Sequence, residues 1–567
     1  MPLYPVVSSL ATAEPGEGGG GSAEGSFVVA VRACGLVSPA GRPLRPGERS
    51  ALVVGGTEKI RGGELAVFCK VVAVAPAVVR RDGRVQAQGK PCDYARLGVL
   101  EEHLDAIAGP DAIGRLARSV RLDGKVKGLA TRLMTTAFAL RAILLMTLMP
   151  GGYGEVMTAL AGDLAAVPWS RAWHVPSATV LSAWRDAIGP EPLESLQQAV
   201  LAACCADHRD HDYRAVRVGG LRAGAIDGTL TRMPDTPANR AAYGSAGTAD
   251  DSAPYPQLRS LLLTDASTRG TLGVVCGPCG GDKAEAEQKL LDKAMTEFAW
   301  LFTGDRLWIM DRNFPGAARI SRLIARTHVL IRVKSDIPLR RAGDFLPDGS
   351  YLADICGGGV TVRVRVIEYD VEVDGQDVPE MFCLITDLTD WRAYPAADLA
   401  RAYRWRWDGS ETALRENKSA LDGAGPSAGP MFRSKSPRLI RQEHAAWITA
   451  TELVRGTARA AARQAAPAVK GGRAGLPVHP REISFTAARR AAITSARHGT
   501  ATAGLPRPLI SAACQAVTAG IGRCRIQVDR SRHRARKTKA RQAFPNAPRQ
   551  LPTRTAPAVI TICGAAA

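Results

Sequence analysis

Three acidic residues stand where an apolar run brings a carboxylate to the end or face of an element. Asp227 follows Ala225-Ile226, Asp311 follows Trp308-Ile309-Met310, and Glu411 lies in Tyr403-Arg-Trp-Arg-Trp-Asp-Gly-Ser-Glu-Thr-Ala-Leu-Arg-Glu-Asn-Lys418. Taken singly, a strand-end aspartate is most often a cap or turn residue. Taken together, they form a set of hard oxygen donors of the kind Mg²⁺ prefers, with no histidine or cysteine required.

Positioning such a set takes strands and helices in alternation. Beyond Tyr213 the pattern predicts strands at Ala215 to Ile226, Gln257 to Thr264, Gly270 to Cys276, Arg306 to Met310, Val329 to Val333, Val360 to Tyr369 and Met381 to Thr386. A helix is expected from Asp282 to Phe298, and Asp374-Gly375 is a hairpin signal. This alternation is the signature of an α/β layer. Its expected extent is 213–463, with a β-rich insertion at about 336–395 and a helical stretch from about Ala396 to Ala462.

Residues 96–212 read as a helical domain, with apolar positions at helical spacing broken at Gly109-Pro110 and Pro150-Gly-Gly152. Within it, Pro176-Ser-Ala-Thr-Val-Leu-Ser-Ala-Trp184 has Ser177 placed to cap a short helix, compatible with a DNA reader or with plain packing. Residues 1–95 differ: the glycine run Gly16 to Ser22 is followed by short, valine-rich, strand-like stretches to which no function is assigned. Residues 464–567 read as a basic, largely irregular tail. In it, Arg525 to Arg541 holds eight lysines and arginines against one aspartate, a run that contacts phosphates nonspecifically.

The chain of 567 residues is long enough for three or four domains at about 150 residues each. Lysine plus arginine exceeds aspartate plus glutamate by 74 to 54, a net charge of +20 that points to a polyanionic partner. An aromatic share of 5% argues against a surface built to stack many splayed bases. The longest apolar stretch, Thr135 to Met149, is interrupted by Arg141 and falls short of the ~20 residues needed to span a bilayer. With no basic region and apolar core at the N-terminus, a cytoplasmic setting and reduced cysteines are expected.

Rival chemistries find weaker support. Cys276-Gly-Pro-Cys279 has the form of a redox tetrapeptide but follows a strand, where a turn is expected instead of the helix N-terminus that lowers a thiol pKa. Cys204, Cys205, His208 and His211 make half a zinc site without a second, separated pair. No phosphate-binding glycine loop follows a strand, so neither a nucleotide nor a nicotinamide is expected.

In combination, the three acids and their neighbours resemble bacterial insertion-sequence transposases of the insertion-element-four type, over roughly residues 97 to 455. The blocks that carry the resemblance are Ala225-Ile-Asp-Gly-Thr-Leu230 with Met233-Pro-Asp-Thr-Pro-Ala-Asn239, then Ile309-Met-Asp-Arg-Asn-Phe-Pro-Gly316. Leu330-Ile-Arg-Val-Lys-Ser335, Leu346-Pro-Asp-Gly-Ser-Tyr351 and Phe432-Arg-Ser-Lys-Ser-Pro-Arg-Leu-Ile-Arg-Gln-Glu443 continue the series. Tyr403, Arg406, Glu411 and Lys418 approximate the family's Tyr-x2-Arg-x3-Glu-x6-Lys signature. The resemblance implies a ribonuclease H-like mixed sheet with flanking helices and a β-rich insertion, preceded by an all-α domain. Asp227, Asp311 and Glu411 would then hold two Mg²⁺ ions, or Mn²⁺ in their place. Asp227 would bridge the pair, and the ions would activate a water or 3′-hydroxyl and stabilise the leaving oxygen. Tyr403, Arg406, Lys418, Arg332, Lys334, Arg433, Lys435 and Trp407 would contact double-stranded DNA at element ends and target, in a homodimer that cuts and joins. A DNA-binding remnant without activity, and a nuclease that cuts but never joins, are the alternatives.

Two departures from the family pattern matter. Asn313 stands where glycine is usual, a change that a left-handed asparagine would tolerate. Arg406 and Glu411 are separated by four residues instead of three, which in an unbroken α-helix turns Glu411 by about 100°. A cap or bulge at Asp408-Gly-Ser410, with a helix beginning near Ser410, would absorb the extra residue. Asp408 and Glu416 are the rotated candidates for the third acid.

Overall fold

The computed structural model describes residues 90–526, apart from 123–125, 127–132, 167–172, 246–254, 280–282, 335–336, 373–379, 422–430, 468, 471–472, 475 and 500–506. It also describes short strands before residue 90 and the segment 559–563. The chain divides into two compact units, Met1–Leu193 with Arg489–Gly520, and Glu194–Ala488 with Ile521–Ala567.

In the first unit, Leu36–Val37, Ala51–Thr57 and Val67–Ala73 form an antiparallel sheet, and Ala77–Val79 pairs with Val85–Ala87. Among the described residues there follow helices α1 Val99–Ala108, α2 Ala112–Ser119, α3 Thr136–Met146, α4 Tyr153–Ala161 and α5 Ala178–Ile188. Thr135 and Ser177 cap α3 and α5 as N-cap residues should, each accepting a backbone N–H from three residues on. α3 is buried along almost its whole length and carries Arg141 into the interior, where Glu101 of α1 receives it through two hydrogen bonds of 3.0 and 2.6 Å.

The second unit is organised by a mixed sheet of eleven strands. Its principal strands are β1 Leu221–Arg232, β2 Gln257–Asp265, β3 Thr271–Pro278, β4 Arg306–Met310, β5 His328–Arg332, β6 Arg340–Phe345, β7 Tyr351–Gly357, β8 Val360–Glu372, β9 Glu380–Thr386 and β10 Val559–Ile562. The order across the sheet is β6-β7-β8-β9-β5-β4-β1-β2-β3, with β10 on β8 and the short Arg217–Val218 on β1. β4 runs parallel to both β1 and β5, whereas β2, β3 and β9 run antiparallel to their neighbours. All nine residues of β2 are buried, and its two charged side chains are paired, Arg259 with Glu287 and Asp265 with Arg222.

The helices of this unit are α6 Glu191–Asp210, α7 Pro237–Tyr243, α8 Lys283–Glu297, α9 Ala317–Ile324, α10 Ala396–Tyr403, α11 Thr412–Leu421 and α12 Pro437–Gln464. α6 falls almost entirely in the sheet unit, although 212 is the expected end of the helical domain; Cys204 and Cys205 are buried in the same apolar core as Leu261 and Leu272 of the sheet. The insertion contains one hairpin more than the sequence patterns showed, β6–β7. At its turn, which Gly349 closes at φ +82°, Asp348 accepts hydrogen bonds from Ser350 N and from Ala396 N at the start of α10. The Leu346-to-Tyr351 block therefore seats the helix that leads to the third acid. The Asp374-Gly375 signal lies outside the described residues, but the strands on either side of it, β8 and β9, are paired.

Among its described residues, the stretch expected to be irregular after residue 464 contains the helices α13 Phe485–Arg497 and α14 Arg507–Arg523. Both are alanine-rich, and alanine is the best helix former. Ser495 Oγ accepts a hydrogen bond from Val99 N, and Ser511 Oγ donates to Glu102, so this segment belongs to the helical unit's packing. Most of the Arg525-to-Arg541 run lies outside the described residues. Among the described residues no helix is long and apolar enough to cross a membrane.

Candidate active site

Register places the first two acids. Ala225 and Ile226 of β1 pair with Ile309 and Met310 of the parallel strand β4, so Asp227 and Asp311 come next, side by side, at a strand spacing of roughly 4.8 Å. Met310 in turn pairs with Ile331 of β5, which puts Arg332 level with Asp311. Each aspartate folds one oxygen back onto the next backbone N–H, Asp227 onto Gly228 at 2.9 Å and Asp311 onto Arg312 at 2.7 Å. The other oxygen of each is left for the site.

The third acid arrives on a helix that absorbs its extra residue without stopping. After α10 the chain stays helical through Arg406, widens into a π-turn at Trp407–Glu411, and resumes as α11. The bulge alternative therefore holds, and the expected helix start near Ser410 does not. A π-turn advances five residues where an α-turn advances four, so Arg406 and Glu411 share a face as an x3 spacing would have them do. Glu411 Oε2 lies 3.9 Å from Arg406 Nη1, whose other carboxylate partner is Asp227 Oδ2 at 3.1 Å. Ser410 Oγ lies 3.2 Å from Asp227 Oδ2 and 2.8 Å from the Arg406 carbonyl.

The electrostatics follow from this gathering of charge. Burial pushes the Asp227 carboxyl up to about 6, Arg406 opposes the shift, and Glu411 and Asp311 add to it. Burial works to lower the Arg406 pKa, but Tyr403 and the three carboxylates outweigh it and hold the guanidinium above its ordinary value. Among the described residues no three histidine, cysteine, aspartate or glutamate side chains stand close enough together to hold a metal ion. The Arg406 guanidinium lies between the first and third carboxylates, where a cation shared by them would stand.

The residues expected on DNA divide into three groups. Tyr403 and Arg406 face inward: Tyr403 is buried edge-on to Phe382, and Arg406, 5% exposed, is turned into the acidic cluster and not toward an outer phosphate. Trp407 is half exposed, with its ring 4.3 Å from the Arg406 guanidinium carbon, so it lies on the open side of the site and not in the core. Lys418 is half-buried on α11, Arg332 lies 4.0 Å over the Phe382 ring, and Lys334 follows just past the end of β5. Arg433 and Lys435 are elsewhere. Their segment joins the far end of β1 through an Arg232–Met431 bridge, five residues or roughly 16 Å along the strand from Asp227. Thr236 Oγ1 donates to the Lys435 carbonyl and Asn239 Nδ2 to the Ser434 carbonyl, while Glu443 accepts from the Arg433 and Ser434 amides. The Met233-to-Asn239 and Phe432-to-Glu443 blocks thus form one interlocked corner.

Asn313 uses its side chain, and a left-handed backbone is not what favours it. It is absent from the positive-φ positions and donates instead to Glu287 at 3.2 Å. Glu287 packs against Gly228 so closely that a Cβ there would meet its Oε1 at 2.9 Å, and Arg259 neutralises it at 3.1 Å. Glu287 is a contributor that no sequence signal singled out, and Ser410, expected only as a cap or bulge residue, reaches Asp227 with its hydroxyl. Glu416, the rotated candidate, is held by Arg269 at 2.9 Å and Arg455 at 3.5 Å, away from Asp227.

The rival chemistries are not built. Cys276 lies within β3, and burial raises the pKa of both Cys276 and Cys279. Both ring nitrogens of His208 are engaged, with the Cys204 carbonyl at 2.6 Å and Thr268 Oγ1 at 2.5 Å, leaving none for a metal.

No family model matches the chain. Over 253 residues, 42% of its length, it is 25% identical to Transposase InsG for insertion sequence element IS4 of Escherichia coli K12. The match covers 52% of that protein, so the chain spans about half the length of the curated relative. Among solved structures, a piggyBac transposase synaptic complex with hairpin DNA aligns over 76% of this chain and 85% of its own, at 12% identity and a TM-score of 0.34. Endonuclease V from Bacillus subtilis aligns over 36% and 82%, at 12% identity and a TM-score of 0.17.

Proposed function

We propose that this chain is a DNA transposase of the insertion-sequence type, cutting and joining DNA at the ends of its element through Asp227, Asp311 and Glu411. The observation that carries the reading is that Asp227 and Glu411 converge on Arg406, the latter through a π-turn, while parallel register sets Asp311 beside Asp227. The similarity to the IS4 transposase supports it from outside the site. A sheet in which the first strand is central, antiparallel to the second and parallel to the fourth, supports the ribonuclease H-like reading of the fold.

The donor set suits Mg²⁺, which takes carboxylate oxygens and keeps its remaining waters. Asp227, Asp311 and Glu411 would hold the ions, whose chemistry is to activate the attacking hydroxyl and stabilise the leaving oxygen. The chain's own part is to bring the three carboxylates together, to supply a positive charge beside them through Arg406, and to present the exposed Trp407 to the substrate. Lys334, Lys418 and Lys435 would extend that surface along the phosphates. The dimer that pairs two element ends and the cytoplasmic, nucleoid-associated setting belong to the same proposal.

The inactive-remnant reading rests on the extra residue before Glu411, the unusual first 95 residues and the irregular tail, and the π-turn accommodates the first of these. The test is incubation of a plasmid carrying the element ends with the full chain and Mg²⁺. Cleaved ends together with joined strand-transfer products are expected. Cleavage without joining would make the protein a nuclease, and binding without cleavage would make it a remnant.

A further inference from the structure

The π-turn that delivers Glu411 creates a problem in its own backbone. In an α-helix the Thr412 N–H would bond the Asp408 carbonyl four residues back. Here it bonds the Trp407 carbonyl instead, and the Asp408 carbonyl loses its helical donor. Arg269 fills the gap, with Nε donating to the Asp408 carbonyl at 2.9 Å and Nη1 to Glu416 Oε1 at 2.9 Å on the following α11. One guanidinium thus clamps the turn and the helix after it.

Arg269 is itself held in place. It sits in the β2–β3 turn at φ +64°, a left-handed conformation uncommon for a residue other than glycine or asparagine. The turn is fastened by the buried Asp265, which accepts from Ser267 N, Thr268 N and Arg222 Nε at 3.0, 3.0 and 2.7 Å. One residue before Ser267, Ala266 lies against the π-turn: a Cβ on Gly409 would come within 2.9 Å of its Cα. β2 pairs directly with β1, Leu262 opposite Asp227, so the turn that grips the third acid's helix is built on the strand next to the first acid.

We infer that Arg269 is a positioning residue for the proposed reaction, holding the π-turn open so that Glu411 faces Asp227. The inference rests on the reading of Glu411 as a metal-holding residue. Arg269 bonds the Asp408 carbonyl and Glu416 and not the carboxylates of the triad, so it acts by placing the turn and the helix that follows.

The test uses the full chain with Arg269→Lys and Arg269→Gln, alongside wild type and Glu411→Ala. Mn²⁺ alone is the binding probe, followed by electron paramagnetic resonance, and cleavage kinetics are resolved into kcat and KM for DNA. Lysine keeps the charge for Glu416 but lacks the fork that serves both partners. Removing such a supporting group is expected to weaken Mn²⁺ binding and lower kcat by about 10- to 100-fold, with KM for DNA unchanged. If the glutamine variant fails to fold, the lysine variant carries the test. Wild-type Mn²⁺ affinity and kcat in a folded variant would overturn the inference, as would a fall in melting temperature with kcat and KM changed alike. Wild-type protein whose Mn²⁺ binding is indifferent to Glu411→Ala would instead overturn the underlying reading, and the inference with it.

Discussion

Arg406 Nη1 stands 3.1 Å from Asp227 Oδ2, an ion pair inside a cluster of three carboxylates. The guanidinium opposes but does not cancel the burial that, with smaller additions from Glu411 and Asp311, pushes the Asp227 carboxyl up to about 6.

That burial of a carboxylate predicts a pH-dependent stability. A carboxyl whose folded pKa is raised binds its proton more tightly in the native state, so stability falls as pH rises from about 4 to about 6, and the cost is fully present above that window. Raising the carboxyl from its ordinary 3.8 to about 6 costs on the order of 3 kcal/mol. Asp227→Asn, which resembles the protonated form, is expected to melt higher than wild type at pH 8 without metal, and to match it at pH 4. A lower melting temperature for the variant at pH 8 would show that the pairing with Arg406 outweighs the burial.

Helix geometry predicts an asymmetry between losing and gaining a residue in the π-turn. Deleting Gly409 returns Arg406 and Glu411 to an i, i+4 relation on one face, so metal-dependent cleavage should persist. Inserting one alanine after Gly409 turns Glu411 by about 100° and should abolish cleavage. Assaying both variants for nicking of element-end DNA checks this; equal loss in the two would mean that the wide turn matters for more than alignment.

Charge placement predicts which residues set the salt dependence of DNA binding. Lys435 is exposed and Lys334 lies past the end of β5, so replacing either with alanine should flatten the slope of log affinity against log salt by about 0.9 for each phosphate left unneutralised. Arg406→Ala should leave that slope unchanged, since its side chain faces the acids. Filter binding across a salt series measures all three, and a flatter slope for Arg406→Ala would place its guanidinium on DNA.

The second acid was legible in the sequence as a strand end: the run at Arg306 to Met310 matches β4 in full, and Asp311 follows it. The first was legible in position but not in setting, because the strand expected over Ala215 to Ile226 starts at Leu221 and runs on to Arg232, which leaves Asp227 within β1, paired with Leu262 of β2. What the local pattern could not carry was tertiary. Whether the surplus residue before Glu411 became a cap or a π-turn depended on Ala266 and Arg269, some 140 positions earlier in the chain. The inward turn of Arg406 depended on where Asp227 stood. Alanine and arginine after residue 464 read as a tail beside their proline and glycine neighbours, whereas alanine's helix propensity and contacts with α1 make helices of Phe485–Arg497 and Arg507–Arg523.

The most direct test of the central claim is Mg²⁺-dependent cleavage of DNA carrying the element ends by wild type, Asp227→Ala, Asp311→Ala and Glu411→Ala, with Asp408→Ala and Glu416→Ala as controls. Each triad variant is expected to lose more than about 100-fold in rate, at least the loss typical of a group that supports a metal ligand, while Asp408→Ala and Glu416→Ala still cut. Cleavage that survives Glu411→Ala and disappears with Asp408→Ala or Glu416→Ala would contradict the assignment of the third acid. Cleavage that survives all three triad variants would contradict the account as a whole.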